Sequence, residues 1–323
     1  MQEREGSTAR GVVTIVLMTV NVIAWCLLLF AVALAKLLVP VPGWRRLTSR
    51  GMTALAEGWI GTNNALFRAT GALPLETAGL EGLSTREWYL VVSNHRSWVD
   101  ILVLQSVFNR RIPFLKFFLK RQLIWVPFLG IAWWALDFPF MRRYSPSHLA
   151  KHPEDRGRDL EATRRACRRF RGMPTSVMNF VEGTRFTEAK RESQRSPYRH
   201  LLLPRAGGTS FVLSAMGGTL HSLLDVTIAY GSRHPTLWDL CCGRLGTVRV
   251  DVRRRAIEAW LAAGDYAGDP AFRERFQRWL GELWADKDAR FDAMLGGHPL
   301  GAPLERVTAG AAGPVSAASG LGT

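Results

Sequence analysis

His95 and Asp100 are the first residues whose types and spacing could do chemistry, in the stretch Val91-Val92-Ser93-Asn94-His95-Arg96-Ser97-Trp98-Val99-Asp100. An imidazole titrates near neutral pH, so it can take a proton from a hydroxyl once a partner fixes its tautomer. The apolar run from Trp88 to Val92 reads as a short buried strand, and the run from Trp98 to Val107 has the length and spacing of a helix start. His95 is therefore placed at a strand-to-helix corner, where open α/β sheets usually keep their chemistry. Asp100, in the first helical turn, can reach back to one ring nitrogen and leave the other free. The same letters also read as Ser97-x-x-Asp100, a helix-start pattern in which the carboxylate only holds an orphan backbone N–H.

A second segment, Phe180-Val181-Glu182-Gly183-Thr184-Arg185, follows another strand-like run (Thr175 to Val181) and again ends in a turn. Glycine there lets backbone N–H groups approach a ligand. Arg185 offers a planar fork of donors suited to a phosphate. Alone, this pattern is equally an ordinary surface turn with a salt bridge.

Taken together, the two segments resemble the signature of the glycerophospholipid acyltransferases, the PlsC-like or 1-acyl-glycerol-3-phosphate acyltransferase group: H-x-x-x-x-D at His95 to Asp100, then E-G-T-R at Glu182 to Arg185. The resemblance includes a basic-aromatic block, Phe138-Pro139-Phe140-Met141-Arg142-Arg143, and a later block, Leu202-Leu203-Pro204-Arg205-Ala206-Gly207-Gly208. It runs roughly from Leu75 to Tyr230. The final apolar strand, Leu224 to Tyr230, lacks the proline of many relatives and is more similar to the branch holding lysocardiolipin- and lysophosphatidylglycerol-type enzymes.

The resemblance implies an α/β fold, a mixed sheet flanked by helices, to which the uncharged N-terminal run adds a membrane helix or helical hairpin. It implies acyl transfer from acyl-CoA or acyl-carrier protein, as co-substrate and without a cofactor, to the free hydroxyl of lysophosphatidic acid or a related lysophospholipid. His95 would be the general base and Asp100 its orienting acid. Glu182, Gly183, Thr184 and Arg185 would bind the acceptor phosphate, with Arg143 a further contact. No G-x-S-x-G element supplies an enzyme nucleophile. Two other readings stay open: an acyl-thioesterase, in which water replaces the lysolipid, and a non-catalytic basic membrane-binding module.

Composition supports a lipid surface as partner. The formal net charge is +15, and the chain carries 12 tryptophans. Basic excess demands an anionic partner, and indole rings beside cations suit the headgroup region of an anionic membrane. Nucleic acid is disfavoured, because no zinc-finger spacing, RNP-like aromatic strand or recognition helix is present. The four cysteines, Cys26, Cys167, Cys241 and Cys242, show no C-x-x-C or metal spacing and read as unbridged. No metal site is argued.

The remaining elements frame three regions: an N-terminal membrane anchor and interfacial helix over 1–74, a catalytic domain over 75–295, and a disordered tail over 296–323. Gly11 to Ala35 carry no charge; at ~1.5 Å per residue such a helix is about 37 Å long, enough for a hydrocarbon core of roughly 30 Å. The basic residues flanking it, Lys36, Arg45, Arg46 and Arg50 after it against Arg4 and Arg10 before, predict a catalytic domain facing the cytoplasm at the inner membrane. Leu47 to Phe67 shows a stripe of Met52, Leu55, Trp59 and Leu66 suited to lying in the interface, which makes a dipping hairpin the alternative to a single span. Ile112 to Phe140 mixes aromatics with Lys116, Lys120 and Arg121 as a membrane-contacting surface would. Glu154 to Arg171 reads as a basic solvated helix. Leu223 to Tyr230 and Thr247 to Val252 read as strands, and Asp269-Pro270 opens a helix whose stripe of Phe272, Phe276, Leu280, Leu283 and Trp284 faces the core.

Overall fold

The computed structural model describes residues 7–141, 167–168, 170, 172–232 and 235–301. Arg142, Arg143, most of the Glu154 to Arg171 stretch and nearly all of the tail lie outside the described residues. In chain order the elements are α1 (Thr8–Leu38), α2 (Pro42–Thr70), β1 (Leu75–Ala78), β2 (Tyr89–Ser93), α3 (Val99–Phe108), β3 (Leu115–Phe117), β4 (Leu119–Lys120), α4 (Leu129–Ala135), β5 (Phe140–Met141), β6 (Ser176–Phe180), α5 (Glu188–Ser193), α6 (Ala206–Met216), β7 (Ser222–Ala229), α7 (Leu237–Cys242), β8 (Val248–Arg255), α8 (Ala259–Ala263) and α9 (Pro270–Leu295).

The sheet is mixed, in the order β1-β8-β7-β2-β6-β3. β7, β2, β6 and β3 run parallel, whereas β8 pairs antiparallel with β7 and carries β1 alongside. β2 is buried along its whole length, as a central parallel strand covered on both faces must be. Strand alternation divides the core in two. Tyr89, Val91, Leu224, Val226 and Ile228 enter a cluster with α1 to α4. Leu90, Val92 and Leu223 enter another with α6 and α9. α9 is capped at its start, where Asp269 accepts from the Ala271 and Phe272 amides at 2.9 and 3.1 Å, and it buries Phe276, Leu280, Leu283 and Trp284 in that cluster.

α1 and α2 form an antiparallel pair joined by a short turn at residues 39–41. The Asn21 side chain donates to Asn63 Oδ1 at 2.9 Å across the pair, and the Trp25 indole packs where any Cβ on Gly58 would stand. α1 is long and apolar enough to cross a bilayer, and much of its surface, including Val12, Val16, Val20, Leu27 and Leu34, is exposed. One residue of the α2 stripe, Met52, lies inside the protein. Met52 is 1% exposed, and it joins Ala56 and Phe67 in the core with Cys26 and Leu29 of α1. A long apolar neighbour offers that part of α2 a dry surface within the protein, while Leu55, Trp59 and Leu66 of the stripe stay half-buried.

Lys116 also departs from its expected interfacial place. Its Nζ donates to the Leu136 carbonyl at 3.1 Å from the buried strand β3. Lys120 and Arg121, beyond β3, are exposed. All four cysteines are buried and free.

Candidate active site

The parallel strands β2, β6 and β7 finish at one edge, where Ser93 lies level with Phe180 and Val226. The chain leaves β2 as Asn94, whose side-chain amide continues the ladder: it donates to the Ile228 carbonyl and accepts from the Ile228 N–H, both at 2.9 Å. This clamp fixes where the next residue, His95, projects.

His95 Nδ1 faces Asp100 Oδ2 at 2.8 Å, and its ring lies on Phe180 with centroids 3.9 Å apart and planes 15° from parallel. The same Oδ2 accepts from the Arg96 and Ser97 backbone N–H groups at 2.6 and 2.9 Å, while Oδ1 accepts from the Tyr230 hydroxyl at 2.5 Å. Asp100 therefore makes both contacts that the sequence offers it, one to the imidazole and one to backbone N–H groups. The carboxylate collects the backbone donors of the helix start, and those donors in turn lock it against the imidazole. Asp100 is 1% exposed and His95 15%, so the acid is sealed and the ring reaches an opening. With Nδ1 held, the Nε2 nitrogen has no protein partner among the described residues. Burial, reinforced by the negative charge of Asp100, pushes the Tyr230 phenol well above its ordinary range, so it stays a donor.

The Glu182 to Arg185 turn lies beside this corner. Gly183 sits at φ +70°, a backbone region that favours glycine, and its N–H closes a tight turn onto the Phe180 carbonyl at 2.9 Å. The Phe186 N–H reaches the His95 carbonyl at 2.7 Å, which ties the two loops together. Arg185 is exposed and lies over the Trp98 ring at 5.3 Å, and Lys190 Nζ holds Thr184 Oγ1 and the Arg185 carbonyl, each at 2.9 Å. Glu182 differs from its neighbours: it is 0% exposed, and among the described residues neither carboxylate oxygen meets a hydrogen-bond donor in good geometry. Burial raises its pKa well above the usual carboxylate value, against the opposing pull of the Arg96 charge.

Several residues that complete the site carried no catalytic signal in the sequence. Arg96 is sandwiched between the Phe186 and Phe291 rings, 4.5 Å from each, and donates to the His200 carbonyl at 3.1 Å. It thereby joins the His95 loop to α9. Below, Asp225 on β7 pairs with Lys287 at 2.5 Å and with Arg290, both from α9, and Arg290 also reaches Asp251 at 3.2 Å. Burial lowers Lys287 to about 8, partly offset by Asp225. For Asp225, burial acts upward, but Lys287 and Arg290 outweigh it and hold the carboxyl below its ordinary value. The structure thus brings His95, Asp100, Glu182, Gly183, Thr184 and Arg185 to one edge, with Glu182 beneath the surface; Arg143 lies outside the described residues.

Residues 74–230, which contain this corner and turn, match the family model described as Acyltransferase. The chain is 28% identical over 251 residues to 1-acyl-sn-glycerol-3-phosphate acyltransferase gamma of Mus musculus, an alignment covering 74% of this chain and 59% of that protein. It is 25% identical over 223 residues to 1-acyl-sn-glycerol-3-phosphate acyltransferase 3 of Arabidopsis thaliana, covering 64% and 54% respectively. The chain therefore spans less than two thirds of the length of these relatives. Against the crystal structure of the 1-acyl-sn-glycerophosphate acyltransferase PlsC from Thermotoga maritima, the TM-score is 0.47 at 14% identity, over 86% of this chain and 98% of that one. The family-model match and these relatives support a PlsC-like glycerophospholipid acyltransferase family for the chain.

Proposed function

We propose that this protein is a membrane-associated O-acyltransferase that moves a fatty acyl group from acyl-CoA or acyl-carrier protein to the free hydroxyl of lysophosphatidic acid or a related lysophospholipid. The observation that carries this reading is the fixed imidazole: Asp100 holds Nδ1 at 2.8 Å while three further donors hold Asp100. Only Nε2 is left to act, and it acts as a general base. It takes the acceptor hydroxyl proton as that oxygen attacks the thioester carbonyl. The tetrahedral intermediate then collapses, the carbon–sulfur bond breaks, and the leaving thiolate recovers the proton from the imidazolium. Asp100 stabilises that imidazolium without itself taking the proton, as the acid of a serine-hydrolase triad does.

The acceptor phosphate is assigned to the face made by Gly183, Thr184 and Arg185, with Arg143 a further contact. Glu182 supports that face from beneath, since a sealed carboxyl cannot meet a phosphate and a charged one would repel it.

Membrane association rests on the exposed apolar residues of α1 and of the segment packed beside it. α1 packs against α4, and Lys36 at the end of α1 pairs with Asp137 just beyond α4 at 3.3 Å. Beside α1, Trp125 is 84% exposed, with Phe128, Ile131 and Trp134 also turned outward. Lys120 and Arg121 flank this patch, as suits the anionic headgroups of a membrane. The basic residues after α1 favour a catalytic domain on the cytoplasmic side.

The test is acyl transfer by the protein reconstituted in membranes, with labelled acyl-CoA or acyl-carrier protein and a panel of lysophosphatidic acid, lysophosphatidylglycerol and lysocardiolipin. Label appearing in a diacyl product supports the reading. Free fatty acid released at the same rate without any acceptor would replace it with a thioesterase.

A further inference from the structure

The family signature leaves Arg205 without a role, yet this residue lies directly across the phosphate-facing turn. Its backbone N–H donates to the Val181 carbonyl at 2.8 Å, which ties it to the start of the turn. Its side chain then crosses Gly183 so closely that a Cβ added there would stand 3.0 Å from Cδ, 3.4 Å from Nε and 3.8 Å from Cζ. Gly183 is thus favoured by its positive φ, and the absence of a side chain there lets the arginine lie close over the turn. The Arg205 side chain is exposed and has no hydrogen bond, ion pair or ring contact among the described residues.

Two other cations border the same turn. Arg185 rests on Trp98, and Lys190 is held against Thr184 and the Arg185 carbonyl. Nearby acids do not cancel them: Glu188 is engaged by Arg191 at 3.1 Å, and Glu182 is sealed below, where burial favours its neutral form.

Resting on the acyltransferase reading above, we infer that Arg205, Arg185 and Lys190 form a three-cation rim over Gly183 that selects a phosphomonoester headgroup over a phosphodiester one. A phosphate monoester carries roughly −1.5 to −2 charges near neutral pH and presents three acceptor oxygens. A diester carries a single charge and has lost an oxygen to its second ester bond. Attraction to the rim scales with ligand charge, so the third cation counts most for the monoester. The acceptor class this favours is a lysophosphatidic acid.

The experiment compares wild type, Arg205→Ala and Arg205→Lys, full length and membrane-reconstituted, at saturating acyl donor with lysophosphatidic acid and with lysophosphatidylglycerol. Arg205→Ala is expected to raise the KM for lysophosphatidic acid about tenfold or more, the scale of one charge-assisted hydrogen bond, while kcat and the donor KM hold. The KM for lysophosphatidylglycerol should rise less, and Arg205→Lys should recover part of the loss. Independently of turnover, glycerol 3-phosphate should raise the melting temperature of wild type and fail to do so for Arg205→Ala. An unchanged KM for lysophosphatidic acid, or an equal rise for both acceptors, overturns the rim. Absence of transfer to every lysophospholipid would instead overturn the acyltransferase reading, and the glycerol 3-phosphate shift would still decide whether the rim binds a phosphomonoester.

Discussion

Tyr230, at the end of β7, donates its hydroxyl to Asp100 Oδ1 at 2.5 Å across 130 positions of sequence. The acid of the proposed catalytic pair is thus anchored to the sheet as well as to its own helix. Hydrogen bonds to a buried charged group are worth about 1.5–3 kcal/mol. Tyr230→Phe is accordingly expected to lower kcat about tenfold or more with little change in either KM, since the bond positions Asp100 and touches no substrate. Steady-state kinetics with donor and acceptor varied separately check this; a selective rise in acceptor KM would mean that the phenol meets substrate.

Asp225 is 0% exposed and joins β7 to α9 through Lys287 and Arg290. Asp225→Asn leaves two buried cations short of their counter-charge and is expected to cost about 3–5 kcal/mol of stability. Denaturant unfolding of the protein in detergent measures it. The sign with pH is also fixed: the carboxyl is held below its unfolded value, so its contribution is present above that value and fades as pH falls through the lowered one. The variant should therefore lose less stability on acidification than wild type.

Glu182 carries the opposite sign. Its folded pKa is raised, so the folded protein holds the proton over a window in which the unfolded chain has lost it, and stability declines as pH rises through that window. Three charged groups bear on it: Arg96 and Lys287 lower its pKa, and Asp100 raises it. Glu182→Gln is expected to remove this decline, giving a melting temperature at or above wild type near neutral pH and a flatter profile. The acceptor KM should stay put; a large rise would place the Glu182 carboxyl in the phosphate site.

Trp125 and Trp134 belong to the exposed patch beside α1. Replacing both with glutamate is expected to weaken binding to vesicles containing anionic lipid without unfolding the protein, because neither side chain is in the core. Flotation of the purified protein with vesicles, beside its circular dichroism spectrum, separates the two effects. Undiminished binding would leave attachment to α1 alone.

Local features were the legible ones. β2, α3, β6 and β7 were each placed to within a residue or two at their ends, because their apolar runs stop at polar turn residues, and His95 and Asp100 are close enough in sequence to be paired on paper. Tyr230 was not legible, since its letter sits in an apolar strand and its partner comes from a distant helix start. Lys287 and Arg290 continue the stripe of Leu283 and Trp284 at helical spacing, and Asp225 interrupts an apolar strand. A charged residue prolonging a buried stripe was the available signal, and only the packing of α9 on β7 shows which charges meet. The burial of Met52 and of Lys116 was not legible for a related reason: amphipathic patterning gives a face its polarity but not its neighbour. Here the neighbours are α1 and the Leu136 carbonyl.

The most direct measurement is acyl transfer to lysophosphatidic acid by His95→Ala beside wild type, both reconstituted and both shown to be folded. Loss of the general base is expected to cut kcat by about 10²–10⁴-fold with acceptor binding retained. Turnover near the wild-type rate in that variant would contradict the account, because no other group on the described edge is held by Asp100 with a free nitrogen to take the proton.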